Sequence, residues 1–203
     1  MENNNKTTES PDSLPLGETG EAQCFYDLVK QRQSTRAFDT TRTVDREIIA
    51  RVLEAGRLAP SACNAQPWHF IVVDEPELKN KVADAASARL LGMNHFTKQA
   101  PVHIIVIEEK VNLSSGIGGI VKDKHFAFLD IGIATAHICL AAQAEGLGSC
   151  ILGWFAESKM KKLLNIPDNK RVVLDIVVGY PAQPLRDKKR KPTEEVISYN
   201  TYQ

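Results

Sequence analysis

The chain has no excess of charge of either sign and only a few scattered cysteines. Its 25 Lys and Arg residues balance 25 Asp and Glu residues, so no net field attracts nucleic acid or an anionic membrane surface. Its 4 cysteines form no CxxC pair and have no His spacing typical of a zinc site. They predict reduced thiols in the cytoplasm, with neither a disulfide framework nor a metal centre.

Several motifs of catalysis and targeting are also missing. The sequence has no GxGxxG opening a βαβ unit, no Walker loop, no HExxH and no GxSxG elbow, which argues against the common nucleotide, zinc-protease and serine-hydrolase sites. Residues 1–22 are polar and lack the apolar core of a signal peptide. We therefore predict a disordered leader over 1–22 and a single domain over 23–203.

Hydrophobic periodicity predicts a succession of helices and strands. Helices are expected within residues 24–33, 45–59, 76–90, 125–146 and 157–166, and strands within 69–74, 100–109, 149–155, 170–181 and 195–199. The uncharged run over 131–144 is shorter than the roughly twenty residues that span a bilayer, so it predicts a helix buried in protein and no membrane span. Residues 110–124 are rich in Gly and Ser and predict a mobile loop.

A short basic segment, RQSTR, follows the first predicted helix. Arg32 and Arg36 flank Ser34, and two guanidinium groups with a hydroxyl suit a phosphate dianion. By itself this segment is better explained as a solvated turn, because charged turns are mostly solvated surface. A second basic cluster, RDKKRK at 186–191, is explained either as a solvated stretch or as a ligand contact.

The loop PSACNAQP at 60–67 joins a predicted helix to a predicted strand. Pro60 and Pro67 restrict its backbone. Asn64 and Gln66 carry amides that both donate and accept hydrogen bonds, which suits a heterocycle with alternating carbonyl and N–H groups. Cys63 is expected to have a packing role. No acid and base residues stand at a telling spacing, so no catalytic side chain is assigned.

The order of these segments is more informative than any one of them. The succession RQSTRAF, LAPSACNAQPWHFIVV, APVHIIVI, LDIGIATAHICLAAQAEGLGSCILGWF, VVGYP and KKRKPTEEV resembles the FMN-dependent nitroreductase family. The resemblance implies an α+β fold with a mixed central sheet flanked by helices. It also implies an intertwined homodimer, with a C-terminal extension onto the partner subunit and two FMN molecules at the interface.

The resemblance also implies the FMN contacts. Arg32, Ser34 and Arg36 would come from one subunit, with the arginines near the phosphate and the flavin pyrimidine edge, and Lys188 and Arg190 would close on the phosphate. The other subunit would give the loop residues Pro60, Ser61, Ala62, Asn64 and Gln66. Leu152 and Gly153 would lie beside flavin N5 and O4, and Asn94 would be a further contact.

The function implied is an NAD(P)H oxidoreductase. A hydride would pass from NAD(P)H to flavin N5, and a nitroaromatic, a quinone or a related small-molecule acceptor would then bind in a ping-pong cycle. The same fold leaves open a flavin-fate or reductive dehalogenation enzyme. A flavin-binding protein without turnover and a basic-patch interaction protein are the alternatives from other classes.

Overall fold

The computed structural model describes residues 19–87, 93–110 and 125–202. The predicted leader up to residue 18 and the predicted loop from residue 111 lie outside the described residues. The described helices are α1 Gly20–Gln31, α2 Arg46–Arg57, α3 Pro76–Ala86, α4 Phe126–Ala144 and α5 Glu157–Leu163. The described strands are β1 Trp68–Val73, β2 Val102–Glu108, β3 Gly148–Leu152 and β4 Arg171–Gly179.

Local sequence explains where several helices begin and end. Pro76 occupies the first turn of α3, and the Glu75 carboxylate accepts hydrogen bonds from the backbone N–H groups of Glu77 and Leu78, which caps the helix. Asp45 stands at the N-cap of α2, as predicted, although its side chain makes no capping hydrogen bond. Pro60 follows shortly after that helix ends, because proline cannot continue it.

The four strands form one sheet in the order β1-β2-β4-β3. All three ladders are antiparallel, and the parallel component among the described residues is a single bridge between Ser34 and Ser149. The predicted α+β class is confirmed. β2 lies in the centre, and its apolar run from Val102 to Ile107 is buried throughout, as expected of a strand covered on both faces.

Alternate residues of the sheet pack into two apolar layers. On one face Ile104 and Ile176 contact the helices α2 and α4. On the other face Ile105 and Val177 contact α3 and α5. Burying each such aliphatic side chain contributes about 1.5–3 kcal/mol relative to exposure, so the two layers together fix the sheet that carries the candidate site.

Helix α4 buries only one of its two apolar sides. Residues such as Ile131 and Ile138 are buried, whereas Phe128, Leu129 and Ile133 remain 45%, 59% and 39% exposed. By length and composition the helix could cross a membrane, and 44% of an apolar 18-residue stretch of it is buried in protein. Its packing on α2 and β2 identifies it as a core helix with one uncovered apolar side.

The described residues within 28–185 form one compact unit, and residues 19–27 and 186–202 belong to another. In the second unit, residues 195–199 form no strand within the single chain, so the strand predicted there stays a prediction for the assembly with a partner subunit. Thr193–Glu195 form a 3-10 turn, and Val196 and Tyr199 are 62% and 81% exposed. A strand requires a ladder partner for its backbone groups, and in this single chain residues 196–199 have none.

Candidate functional site

The basic segment after α1 is an extended stretch fixed by backbone hydrogen bonds. The N–H of Thr35 donates to the carbonyl of Ser149 at 2.9 Å, and Asp39 donates to Tyr180 at 2.9 Å. These bonds tie the segment to β3 and to the chain just after β4. The pattern RQSTR is therefore not a solvated turn but an ordered segment at the end of the sheet.

The alternation of an extended backbone decides which side chains the segment presents. Thr35 is 1% exposed, so Ser34 and Arg36 lie on the opposite side, and Arg32 has the same parity. The burial of Thr35 depends on Gly148, where an added Cβ would lie 2.4 Å from the Thr35 Oγ1. Thr35 and Gly148 are positioning residues that the sequence analysis missed, because their contact exists only in the fold.

Arg32 and Arg36 differ in their partners from four other arginines of the described residues. Arg46, Arg51, Arg57 and Arg171 each form an ion pair with a carboxylate. Within residues 19–87, 93–110 and 125–202, no carboxylate lies within ion-pair distance of Arg32 or Arg36. Two guanidinium groups flanking a serine without their own anions are the donor set that a phosphate dianion requires.

An open cleft of about 480 Å³ lies against Arg36. Its lining residues are Arg36, Met93, Asn94, His95, Phe96 and Gln99. The Gln99 Oε1 accepts a hydrogen bond from the N–H of Phe38 at 3.1 Å, so the 3-10 turn His95–Gln99 also fixes the basic segment. His95 and Gln99 were not predicted as site residues, since nothing in the local sequence places them beside Arg36.

Asn94 holds the backbone around this cleft. Its Nδ2 donates to the carbonyls of Ala86 and Trp154, at 3.1 and 3.2 Å. The Nδ2 group of Asn94 already donates hydrogen bonds within the chain, so the expected contact of Asn94 with a cofactor would have to involve its side-chain oxygen, Oδ1. Through Trp154, Asn94 also fixes the chain that follows Gly153.

Leu152 and Gly153 lie at the end of β3. Leu152 is 5% exposed and pairs with Asp175 of β4. Gly153 is exposed, and an added Cβ there would meet nothing within 4 Å. The space next to the Gly153 backbone is therefore open to a planar ligand.

A buried polar pair lies beneath this strand end. The side chains of His103 and Asp175 are both 0% exposed, with 2.9 Å between His103 Nδ1 and Asp175 Oδ2. The His103 Nε2 lies 3.3 Å from the carbonyl of Thr97, in the turn that lines the cleft. Both ring nitrogens thus face oxygen atoms, and the pair joins β4, β2 and that turn.

The loop at 60–67 has an unusual backbone. Cys63, Asn64 and Gln66 have φ angles of 52°, 51° and 47°, in the left-handed region that residues other than glycine seldom adopt. Such residues cost of order 1–3 kcal/mol each and persist where their surroundings determine them. The amides of Asn64 and Gln66 are exposed, as a loop that presents amides to a ligand would require.

The loop and the basic segment lie at different places along α4. The N–H of Ala62 donates to Asp130, near the start of the helix. The charge of Arg32 acts on the Cys139 thiol, whose pKa is raised by burial and lowered less by a Ser149 hydrogen bond and by Arg32. Nine residues of α-helix span about 13.5 Å. Lys188 and Arg190 belong to the other compact unit, so their predicted role at the phosphate stays a prediction.

The chain is similar in sequence to known proteins. The sequence model described as Nitroreductase family matches residues 29–180. An oxygen-insensitive NADPH nitroreductase of Helicobacter acinonychis is 28% identical over 200 residues, covering 85% of this chain and 94% of that protein. An iodotyrosine deiodinase of Thermotoga neapolitana is 27% identical over 199 residues, covering 88% of this chain and 98% of that protein.

The solved structures agree in fold. An FMN-dependent nitroreductase of Clostridium difficile superposes with a TM-score of 0.68 at 26% identity, covering 86% of this chain and 98% of that one. A nitroreductase family protein of Clostridium novyi superposes with a TM-score of 0.66 at 31% identity, covering 80% and 88%. Since the family match includes the basic segment, the amide loop and all four strands, this chain belongs to the nitroreductase family.

Proposed function

We propose that the protein is a homodimeric FMN-dependent NAD(P)H oxidoreductase that reduces nitroaromatics, quinones or related small-molecule acceptors. The observation that carries this proposal is the pair of arginines, Arg32 and Arg36, which flank Ser34 on an ordered segment and lack carboxylate partners among the described residues. Arg32 is half-buried and Arg36 is exposed, and a bound dianion would give both guanidinium groups charge-assisted hydrogen bonds.

The described residues fit FMN in chemistry and in shape. Arg32 and Ser34 would hold the phosphate, and Arg36 would face the pyrimidine edge of the flavin. The open space at Gly153 admits a planar ring, and the backbone there would lie beside flavin N5. Bound FMN would supply the hydride chemistry, taking a hydride from NAD(P)H and delivering electrons to the acceptor in a separate half-reaction.

The chain itself would bind, orient and restrict access. No side chain has to move a proton for hydride transfer from NAD(P)H. The turn His95–Gln99 would limit one side of the cleft, and Arg36 would place positive charge at the pyrimidine edge. Negative charge that develops there during reduction would be stabilised by a cation that is already in position.

A homodimer explains why the two parts of the site are separated in one chain. The loop at 60–67 contacts α4 at Asp130, and the charge of Arg32 acts on Cys139, about 13.5 Å further along the helix axis. We infer that Pro60, Ser61, Ala62, Asn64 and Gln66 act on the FMN held by the partner subunit. The exposed apolar side of α4 would be the surface that brings the subunits together.

The C-terminal residues support the same assembly. Val196, Ile197 and Tyr199 are 62%, 46% and 81% exposed, which is unfavourable for apolar side chains in a free tail. β1 is an outer strand of the sheet, and an outer strand offers unpaired backbone groups to an extended segment. We propose that the tail extends onto the partner subunit. The four cysteines form no disulfide bond among the described residues, which fits a reducing compartment, and we propose that the enzyme is cytoplasmic.

The first experiment is a visible absorption spectrum of the purified protein, repeated anaerobically after addition of NADH or NADPH. We expect a flavin spectrum that bleaches with a nucleotide and returns with a quinone or nitroaromatic. Bound flavin that stays oxidised would instead support a protein without NAD(P)H turnover. Because a relative named iodotyrosine deiodinase is 27% identical, reductive dehalogenation is the second candidate, and iodotyrosine is the acceptor to test.

The arginine variant tests the phosphate site directly. Arg32→Ala removes a charge-assisted contact of roughly 1.5–3 kcal/mol, so the Kd for FMN should rise about 10- to 150-fold. Arg46→Ala is the matched control, because it removes the same charge from an arginine that pairs with Asp74. Equal FMN affinity in the two variants would contradict the site assignment.

A further inference from the structure

We propose that Asp130 is a positioning residue, whose carboxylate holds the backbone at Ala62 and thereby maintains the left-handed conformation of Cys63, Asn64 and Gln66. The role of Asp130 in holding the loop concerns the protein alone. Only its consequence for FMN rests on the proposed function.

The contact itself is between a buried carboxylate and one backbone N–H. Asp130 lies in the first turns of α4 and is 4% exposed. Both of its carboxylate oxygens lie 3.2 Å from the N–H of Ala62. A buried carboxylate is unfavourable unless it is hydrogen-bonded, and among the described residues the Ala62 N–H is the donor that it meets.

The residues after Ala62 need such an external contact. Cys63, Asn64 and Gln66 all have positive φ, and strained residues of this kind persist where other contacts determine them. The Ser61 Oγ accepts from the N–H of Gln66 at 2.9 Å, which closes the loop on itself. Among the hydrogen bonds between described residues, the bond from Ala62 to Asp130 ties the loop to a helix of the core.

The position of Asp130 on α4 gives this contact a functional meaning. Its neighbour Leu129 is 59% exposed on the uncovered side of the same helix, the surface that we propose as the dimer interface. One helix turn would therefore fix both the interface and the place where Asn64 and Gln66 present their amides. Loss of the Asp130 contact should free the loop while leaving the sheet unchanged.

The test measures the loop in protein without FMN. Hydrogen exchange is followed for the peptide that contains residues 60–66, and alkylation of Cys63 is followed in a Cys24→Ser background, since Cys24 and Cys63 are exposed whereas Cys139 and Cys150 are buried. For Asp130→Ala we expect both rates to rise about tenfold or more, with β2 and β4 as protected as in the wild type, because a charge-assisted contact is lost.

Two further variants make the result specific. Asp130→Asn keeps an acceptor oxygen without the charge, so its rates should fall between those of the wild type and Asp130→Ala. Thr135→Val is the matched control, because Thr135 is buried on the same helix and its Oγ1 has no hydrogen-bond partner. Its loop should exchange like the wild type. If Asp130→Ala does not fold, Asp130→Asn takes its place as the test. Hydrogen-exchange and alkylation rates equal to those of the wild type in that variant would then overturn the proposal.

The Kd for FMN separates this inference from the proposed function. If the wild type binds FMN, Asp130→Ala should bind it at least tenfold more weakly and Thr135→Val should bind it normally. A wild type that binds no FMN refutes the proposed function, while the loop rates still judge the role of Asp130. Weakened FMN binding in Asp130→Ala with wild-type loop rates would overturn the positioning role.

Discussion

Gly148 is the position where a single methyl group should disturb the basic segment most directly. An added Cβ would lie 2.4 Å from the Thr35 Oγ1 and 2.8 Å from both its Cβ and Cγ2, well below the 3.0 Å that real Cβ contacts respect. Rotation of the Thr35 side chain would exchange Oγ1 and Cγ2 but leave its Cβ in place. The overlap can therefore be relieved only by movement of the backbone.

The cost follows from this geometry. Overpacking of a core typically costs 1–3 kcal/mol, and we expect Gly148→Ala to lie in the upper part of that range, about 2–3 kcal/mol, because no rotamer change relieves it. The displaced backbone includes the hydrogen bond from Thr35 to Ser149. Urea unfolding measures the loss of stability, and titration with FMN should show weaker binding, since Ser34 and Arg36 move with Thr35.

A double-mutant cycle tests the reasoning. Thr35→Gly removes all three clashing atoms, so Gly148→Ala should cost less than about 0.5 kcal/mol in that background. Val82→Ala, in the other apolar layer, is the control for lost stability, because removal of two buried carbon groups costs about 1.6 kcal/mol or more. It should leave the affinity for FMN unchanged. An equal cost of Gly148→Ala in both backgrounds would refute the proposed clash.

Three other perturbations test the fold and the assembly. Ile133→Lys places a charge on the exposed side of α4 and should convert a dimer to a folded monomer in sedimentation or gel filtration; an unchanged dimer would move the interface elsewhere. Asp175→Ala leaves its buried partner His103 without its carboxylate and should lower the free energy of unfolding by about 3–5 kcal/mol; a loss below about 1 kcal/mol in urea unfolding would contradict the pairing. The hydrogen bond from Arg46 holds the pKa of Asp74 below 3.8. The pair therefore stabilises the fold above that pH, and this stabilisation is lost as the pH falls through the lower pKa that Asp74 has in the folded protein. Arg46→Gln should flatten the acid side of the stability profile measured between about pH 5 and about pH 2, and a profile as steep as that of the wild type would show that this pair contributes nothing.

Local pattern was sufficient to predict most elements of the fold. β2 is mostly apolar because it is buried on both faces, and α2 has apolar residues at a 3.6-residue period because one side of the helix is buried. Each pattern therefore predicts the element that is observed. Residues 195–199 have the composition of a strand, yet they are irregular in this chain, because a strand depends on a partner that composition cannot supply. The predicted helix at α4 is correct, but the extent of its uncovered side became clear only from packing.

The candidate site was predictable in its parts but not in its arrangement. Residue types and order indicated Arg32, Ser34 and Arg36, whereas the absence of carboxylates beside the two arginines among the described residues is a property of the fold. Thr35 and Gly148 were missed because their contact joins residues more than a hundred positions apart. Asp130 was missed for the same reason, since nothing in its local sequence relates it to Ala62.

Helix α4 explains why a site of this kind would need two copies of the chain. Its buried side holds Asp130 against the amide loop and Cys139 near the basic segment, and the helical rise between them, about 13.5 Å, is fixed by backbone hydrogen bonds. In the homodimer that we propose, a second copy placed against the exposed apolar side of α4 would offer its own loop to the arginines of the first copy. This arrangement therefore requires apolar residues on both sides of one helix. One side packs in the core of the subunit, and the other would pack against the partner subunit.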